Sequence, residues 1–174
     1  ISEDPKQVAF IRQIITNVNG KIGTYLALKT LLSVMLGLFT WAIMAFCGME
    51  FAVFWGVLIA LLNYVPYIGS FLSVFLPAVF AILQFGNLNS VLAVMEPLSI
   101  VQFANGNFLD PYLMGNSLNL SPFVILVSLT VWSTLWGIPG AFLAVPMTAV
   151  MVMIFAEFPG TRPFAVLLSR KGDV

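Results

Sequence analysis

Between Glu50 and Glu96, and again between Asp110 and Glu157, the chain carries no charged side chain. Its residues are 60% hydrophobic and 8% charged, where ordinary soluble domains carry about 25% charged residues. Mean hydropathy is +1.03. A chain so poor in charge cannot cover itself for water. It reads as an all-α integral membrane protein whose solvent is the lipid bilayer. Formal net charge is zero and the basic residues form no phosphate-binding cluster, so nucleic acid is not an expected partner.

Several chemistries fall away at once. There is no histidine, and Cys47 is the single cysteine. Zinc sites, Cys-His pairs and internal disulfides are therefore not expected. There is no Gly-rich phosphate loop, no Ser-Lys or Ser-His pair and no close pair of aspartates at depth. An enzyme is not expected, nor a cofactor or metal. Cys47 reads as a small core or lipid-facing residue. The opening, ISEDPKQVAFIRQIITNVNGKIG, lacks the basic-then-apolar order of a signal peptide and looks like the interior of a longer protein.

The charge gaps predict the helices. Thr24 to Cys47 forms one span, about 35 Å long, with Lys29 one turn inside and able to snorkel to the interface. The interval Phe51–Met95 is divided at Pro66–Gly69, and Pro111–Ala156 at Gly137–Gly140. The descending arms, Phe51–Val65 and Pro122–Trp136, are each about 15 residues, or ~22 Å, against a hydrocarbon core of ~30 Å. Such arms suggest two re-entrant helical hairpins; tilted helices turning at the far surface are the alternative. Leu88–Leu109 is predicted helical, in one or two pieces because Pro97 cannot donate its hydrogen bond. Asp110-Pro111 is expected to open a polar connection.

Residues 1–23 read as an amphipathic interfacial helix or linker, with Val8, Ile11, Ile14, Ile15 and Val18 at helical spacing. Residues 24–158 form the transmembrane region and 159–174 a cytoplasmic tail. Lysine and arginine stand before the first span and after the last, so both ends are expected to be cytoplasmic.

Two stretches repeat. GSFLSV (Gly69–Val74) and GAFLAV (Gly140–Val145) each follow a proline and sit at a predicted break. Similar broken elements entering from opposite faces mark transporters built on inverted repeats. Small residues that merely let helices pack closely are the blander explanation. The candidates for a solute path are Asn63, Pro66, Gly69, Ser70 and Ser73 at the first break. Gly137, Pro139 and Gly140 occupy the second, and Gln102, Asn105 and Asn107 lie on the helix between, where with Asp110 they form a polar run that either lines a cavity or is a solvated helix end. Gly140 is expected to take a backbone conformation that a β-branched residue resists, and valine at Gly37, in the first span, to have a milder effect than valine at Gly140 or Gly69. Ser128, Ser133 and Thr134 either face a polar path or bond their own helix. Glu96 is the candidate for proton coupling, because an ionisable group at membrane depth is a functional candidate by default. Its alternative is a cap near an interface.

The motifs also carry a resemblance. NYVPYIGSFLSVFLPAV resembles the autoinducer-2 exporter family, whose members carry (I/V)-P-Y-I-G there. VQFANGNFLDPYLMGNSLNLSPFVILVSL and LWGIPGAFLAVPMTAV continue it, the latter close to the family's G-(I/L)-x-G-x-x-L-A-V-P. The match runs from about Gly20 to Val150, in chains about twice this length. Ala104-Asn105 departs from relatives that have an acidic residue nearby. The resemblance implies a homo-oligomeric transporter, a pentamer, of the bacterial inner membrane. It implies export of a small polar signalling metabolite such as autoinducer-2, or sodium/proton exchange. A membrane scaffold without a translocation path is the alternative from another class.

Overall fold

A computed structural model describes residues 5–114, 119–170 and 172; at positions 5–7, 10, 11, 14 and 114 it describes backbone alone. The chain divides into two compact units, Leu28–Gly115 and Ile1–Ala27 with Asn116–Val174.

Helix α1 runs unbroken from Pro5 to Phe46. It joins the predicted amphipathic segment to the first span, because no proline follows Pro5 to interrupt it. It stops where Gly48 (φ 71°) and Phe51 (φ 57°) turn left-handed. Gln84 fastens that turn: its Nε2 donates to the Gly48 carbonyl at 2.9 Å and its Oε1 accepts from the Glu50 N–H at 2.9 Å.

In the Leu28–Gly115 unit, α2 (Ala52–Leu62) and α3 (Ile68–Phe85) form a helical hairpin. Helix α4 (Leu88–Ala104) then folds back on α3. Gly86 ends α3 in the left-handed region, and the Asn87 side chain caps α4 by accepting the Ser90 N–H at 2.9 Å. The core is Leu36, Met44, Trp55, Ile59, Ala81, Val94 and Leu98. Pro97 does not split α4. Its missing N–H leaves the Ala93 carbonyl, four residues back, without an intrahelical donor, and Cys47 Sγ lies 3.5 Å from that oxygen. The irregularity comes later, as a π-helical turn at Asn105–Leu109 that leads into α5 (Asp110–Met114). Asp110-Pro111 therefore continues the helix and does not open a loop.

In the other unit, α6 (Pro122–Trp136) and α7 (Ile138–Glu157) form a second hairpin, followed by α8 (Arg162–Leu168). Pro122 sits in the first turn of α6, where its missing N–H costs nothing. Small side chains, Ala144, Thr148 and Ala149, line the buried face of α7. Trp132 Nε1 donates to Thr148 Oγ1 at 3.1 Å and ties the arms together. The chain before α6 pairs with the chain after α8 through a bridge between Leu120 and Ser169.

Among the described residues, three helical stretches are long and apolar enough to cross a membrane: Ile15–Phe46, Ile68–Phe85 and Ile138–Glu157. Leu31, Val34, Leu38, Phe39 and Phe46 on α1 face outward, as do Phe71, Phe75 and Leu83 on α3. So much outward apolar surface suits lipid and not water. The protein is an all-helical membrane protein.

Candidate functional site

The first hairpin turns at VPYIGS. Asn63 closes α2, and Pro66 cannot donate a hydrogen bond. Tyr67 then takes φ 60°, ψ −56°, and the Ile68 N–H bonds the Pro66 carbonyl at 2.6 Å. This is a γ-turn of the rare left-handed kind, centred on a tyrosine, which is a strained backbone. Gly69 follows inside α3, where a Cβ would overlap the Leu62 carbonyl oxygen.

The second tip is built by related means. Gly137 takes φ 66°, ψ −141°, a conformation open to glycine. Gly140 lies within α7, outside the positive-φ set. Its need for glycine is therefore steric and not conformational: a Cβ would overlap the Trp132 carbonyl oxygen. Each repeated glycine lets its helix rest on a backbone carbonyl of the preceding arm. Gly37 is also confined, though less tightly: its Cβ would come within 2.7 Å of the Gly56 carbonyl oxygen.

The polar side chains gather beside the first tip. Lys29, Ser33, Gly37 and Thr40 share one buried face of α1. Asn63, 5% exposed, donates from Nδ2 to Ser33 Oγ at 3.1 Å. Its Oδ1 accepts from Asn105 Nδ2 at 3.2 Å, and Asn105 is 3% exposed. One residue on, the Tyr64 hydroxyl donates to Thr30 Oγ1 at 2.7 Å. Lys29 does not snorkel to an interface. It is 5% exposed, and its Nζ lies 3.1 Å from Asp110 Oδ2 and 3.4 Å from Oδ1. A buried ammonium needs such a counter-charge.

The π turn makes the second set of contacts possible. The Asp110 N–H bonds the Asn105 carbonyl five residues back. That hydrogen bond stacks the two residues one above the other. In a regular α-helix, positions five apart lie well around the cylinder from each other. Such turns concentrate at functional sites.

Two further atoms belong to this inventory. Ser73 is 1% exposed and lies one turn after Gly69 on the same face of α3. Its Oγ, and the buried Oε1 of Gln102 on α4, have no hydrogen-bond partner among the described residues. Unpaired buried polar atoms are costly, and each of these two oxygens can accept a further hydrogen bond.

The remaining candidates fall elsewhere. Ser70, Gly137 and Pro139 are exposed, Pro66 is half-buried, and Asn107 is exposed with its Nδ2 bonded to the Phe103 carbonyl at 3.0 Å. Ser128 bonds the Ile125 carbonyl, and both Ser133 and Thr134 bond the Thr130 carbonyl. All three satisfy their own helix. Glu96 is not a helix cap. It sits in the middle of α4, exposed, on the face that also shows Leu92, Ile100 and Phe103. Lys29 and Ser33 were not path candidates on sequence grounds, whereas Asp110 belongs to the polar run at the helix end that the sequence does offer. For Lys29 and Asp110 the signal of a pairing was opposite charge, a lysine inside a span and an aspartate at the end of an uncharged run; Ser33 had none.

The family model for AI-2E family transporters matches residues 4–160. The chain belongs to the AI-2E transporter family. It is 37% identical over 148 residues to the AI-2 transport protein TqsA of Escherichia coli, covering 85% of this chain and 43% of TqsA. It is 35% identical over 165 residues to a Borreliella burgdorferi relative, covering 94% of this chain and 45% of that one. Against Escherichia coli YhhT the identity is 37% over 147 residues, covering 84% and 42%. The chain thus spans less than half the length of these AI-2E relatives. The match includes both hairpins, the polar cluster at the first tip and the π turn, so these features lie within the family's shared region.

Proposed function

We propose that the chain is the transport-path portion of a secondary transporter of the bacterial inner membrane that exports a small polar signalling metabolite such as autoinducer-2. The observation that carries this reading is the buried chain Ser33–Asn63–Asn105 beside a strained, broken helix tip. Amide and hydroxyl groups held at a helix break can exchange hydrogen bonds with a polar solute stripped of water. The name of TqsA supports autoinducer-2 as the first solute to test.

Both hairpins are read as re-entrant, entering from opposite faces. Helix α2 has 11 residues and α6 has 15, about 16 and 22 Å, against a ~30 Å hydrocarbon core. Both chain ends are read as cytoplasmic. The assembly is read as a homo-oligomer, a pentamer by family likeness. The apolar stripe with Glu96 at its centre suits a neighbouring subunit better than lipid. Export by this route needs no covalent step and no cofactor.

The test is flux into and out of proteoliposomes with autoinducer-2. Asn63→Ala and Asn105→Ala should each lower flux at least tenfold while leaving a monodisperse protein. Normal flux in both sinks the cluster as the path. The second reading is sodium/proton exchange with Glu96 as the proton carrier. It predicts ion-gradient-driven proton flux that Glu96→Gln abolishes. Transport of neither solute nor ions would favour a scaffold. Labelling of cysteines at Tyr67 and Ala141 by a bulky impermeant reagent would place the tips at a surface and end the re-entrant reading.

A further inference from the structure

We propose that the Lys29–Asp110 ion pair holds residues 105–109 in the π register, and that the segment rewinds to α-helix when the pair is broken. The two registers make this part of the chain a two-state element. It stands apart from the question of which solute crosses.

A π turn is rare and poor as a free helix; it persists where surrounding contacts hold it. Here both ends are held. On the N-terminal side, α4 is anchored by buried Val91, Val94 and Leu98 and by the Asn105 side chain on Asn63. On the C-terminal side, Asp110 reaches Lys29. Beyond that pair, α5 shows exposed Pro111 and Tyr112 and a half-buried Leu113. Losing the ion pair therefore frees the C-terminal end and not the N-terminal one.

Rewinding then has a defined geometry. Absorbing the extra residue of the turn into regular α-helix rotates everything after it by about 100°, the angle of one α-helical residue. Asp110 swings away from α1, while Asn105 keeps its bond to Asn63. Lys29 is left as a buried cation without its carboxylate. The cluster beside the first hairpin tip thus presents a neutral lining in the π register and a free positive charge in the α register. Gly106 is exposed and has open space around it, so the turn can rewind there without a clash.

The experiment reads distance and not transport. Spin labels go on cysteines at Leu38 and Tyr112, which are 57% and 85% exposed, in a Cys47→Ser background in bilayer vesicles. In the parent, the label distance should form one population. Asp110→Asn should displace it, or add a displaced population, by an amount that reflects a side-chain movement of about 8 Å for a 100° turn. Lys29→Asp with Asp110→Lys should restore the parent distance. Deleting Gly106 removes the extra residue, so the ion pair survives in plain α-helix; adding Asp110→Asn to that deletion should move nothing. If Asp110→Asn does not yield folded protein, the neutral pair Lys29→Met with Asp110→Leu serves in its place and should show the same displacement. An unchanged distance in the folded single or neutral double variant overturns the proposal. So does an equal displacement in the Gly106 deletion carrying Asp110→Asn.

Discussion

Lys29 and Asp110 stand 81 positions apart in the chain, and Nζ lies 3.1 Å from Oδ2. The lysine is the more deeply buried partner, so the two single losses are not equal. Asp110→Ala strands a buried ammonium and should cost about 3 kcal/mol of stability, read as a lowered thermal transition in detergent. Replacing both residues with apolar ones, Lys29→Met with Asp110→Leu, should recover most of that loss, because no charge is left to desolvate. A double variant as unstable as the single one would contradict this account.

The repeated glycines should fail for the same steric reason. Gly69→Ala and Gly140→Ala each push a methyl group into a backbone carbonyl that cannot rotate aside. Each should lose about 1–3 kcal/mol by overpacking and lower transport sharply. Gly20→Ala is the control. Nothing lies within 4 Å of its would-be Cβ, and in a helix interior the change should stabilise by up to about 1 kcal/mol. Equal behaviour of all three in thermal unfolding would remove the close-approach explanation.

Cys47 supplies the donor that Pro97 withholds. Cys47→Ala should leave the Ala93 carbonyl without that partner and cost about 1 kcal/mol. Cys47→Ser, which keeps a hydroxyl donor, should stay within a few tenths of a kcal/mol of the parent by that logic. The comparison of the two unfolding curves is the measurement; a neutral Cys47→Ala would mean that water serves the carbonyl equally well.

Tyr67 holds a left-handed conformation with its ring half exposed. Tyr67→Gly should release backbone strain of about 1–3 kcal/mol, offset by about 1 kcal/mol for the greater freedom of glycine in the unfolded chain. The expected result is equal or higher thermal stability together with lower transport, since a relaxed tip no longer fixes Asn63 and Gly69 beside it. A less stable variant would show that the tyrosine ring packs against something that matters.

Much of the fold could be read from the residues in order. Uncharged intervals located the helices, and Pro66 and Gly137 located both hairpin turns, because these features act within a turn or two of themselves. The boundaries Pro122 and Trp136 were legible for the same reason. Of the polar candidates, Asn63 and Asn105 proved to be bonded to each other, while Ser70 and Asn107 point away and Ser128, Ser133 and Thr134 close on their own helices. Helical spacing tells which face a residue is on. It does not tell which face meets a neighbour.

Composition and spacing by themselves determined that this chain is helical, lives in a bilayer and breaks twice. Hydrophobic transfer and the loss of a backbone donor at proline are local quantities that sum along the chain. The tertiary structure alone decided that Lys29 turns inward to Asp110, that Asn105 meets Asn63, and that Gly140 is required for space and not for its dihedral angles. Each of these depends on where a distant backbone passes. The π turn is the clearest case. One extra residue between Asn105 and Asp110 has no signature in a helical sequence, because its cost is met by contacts made with residues far away in the chain.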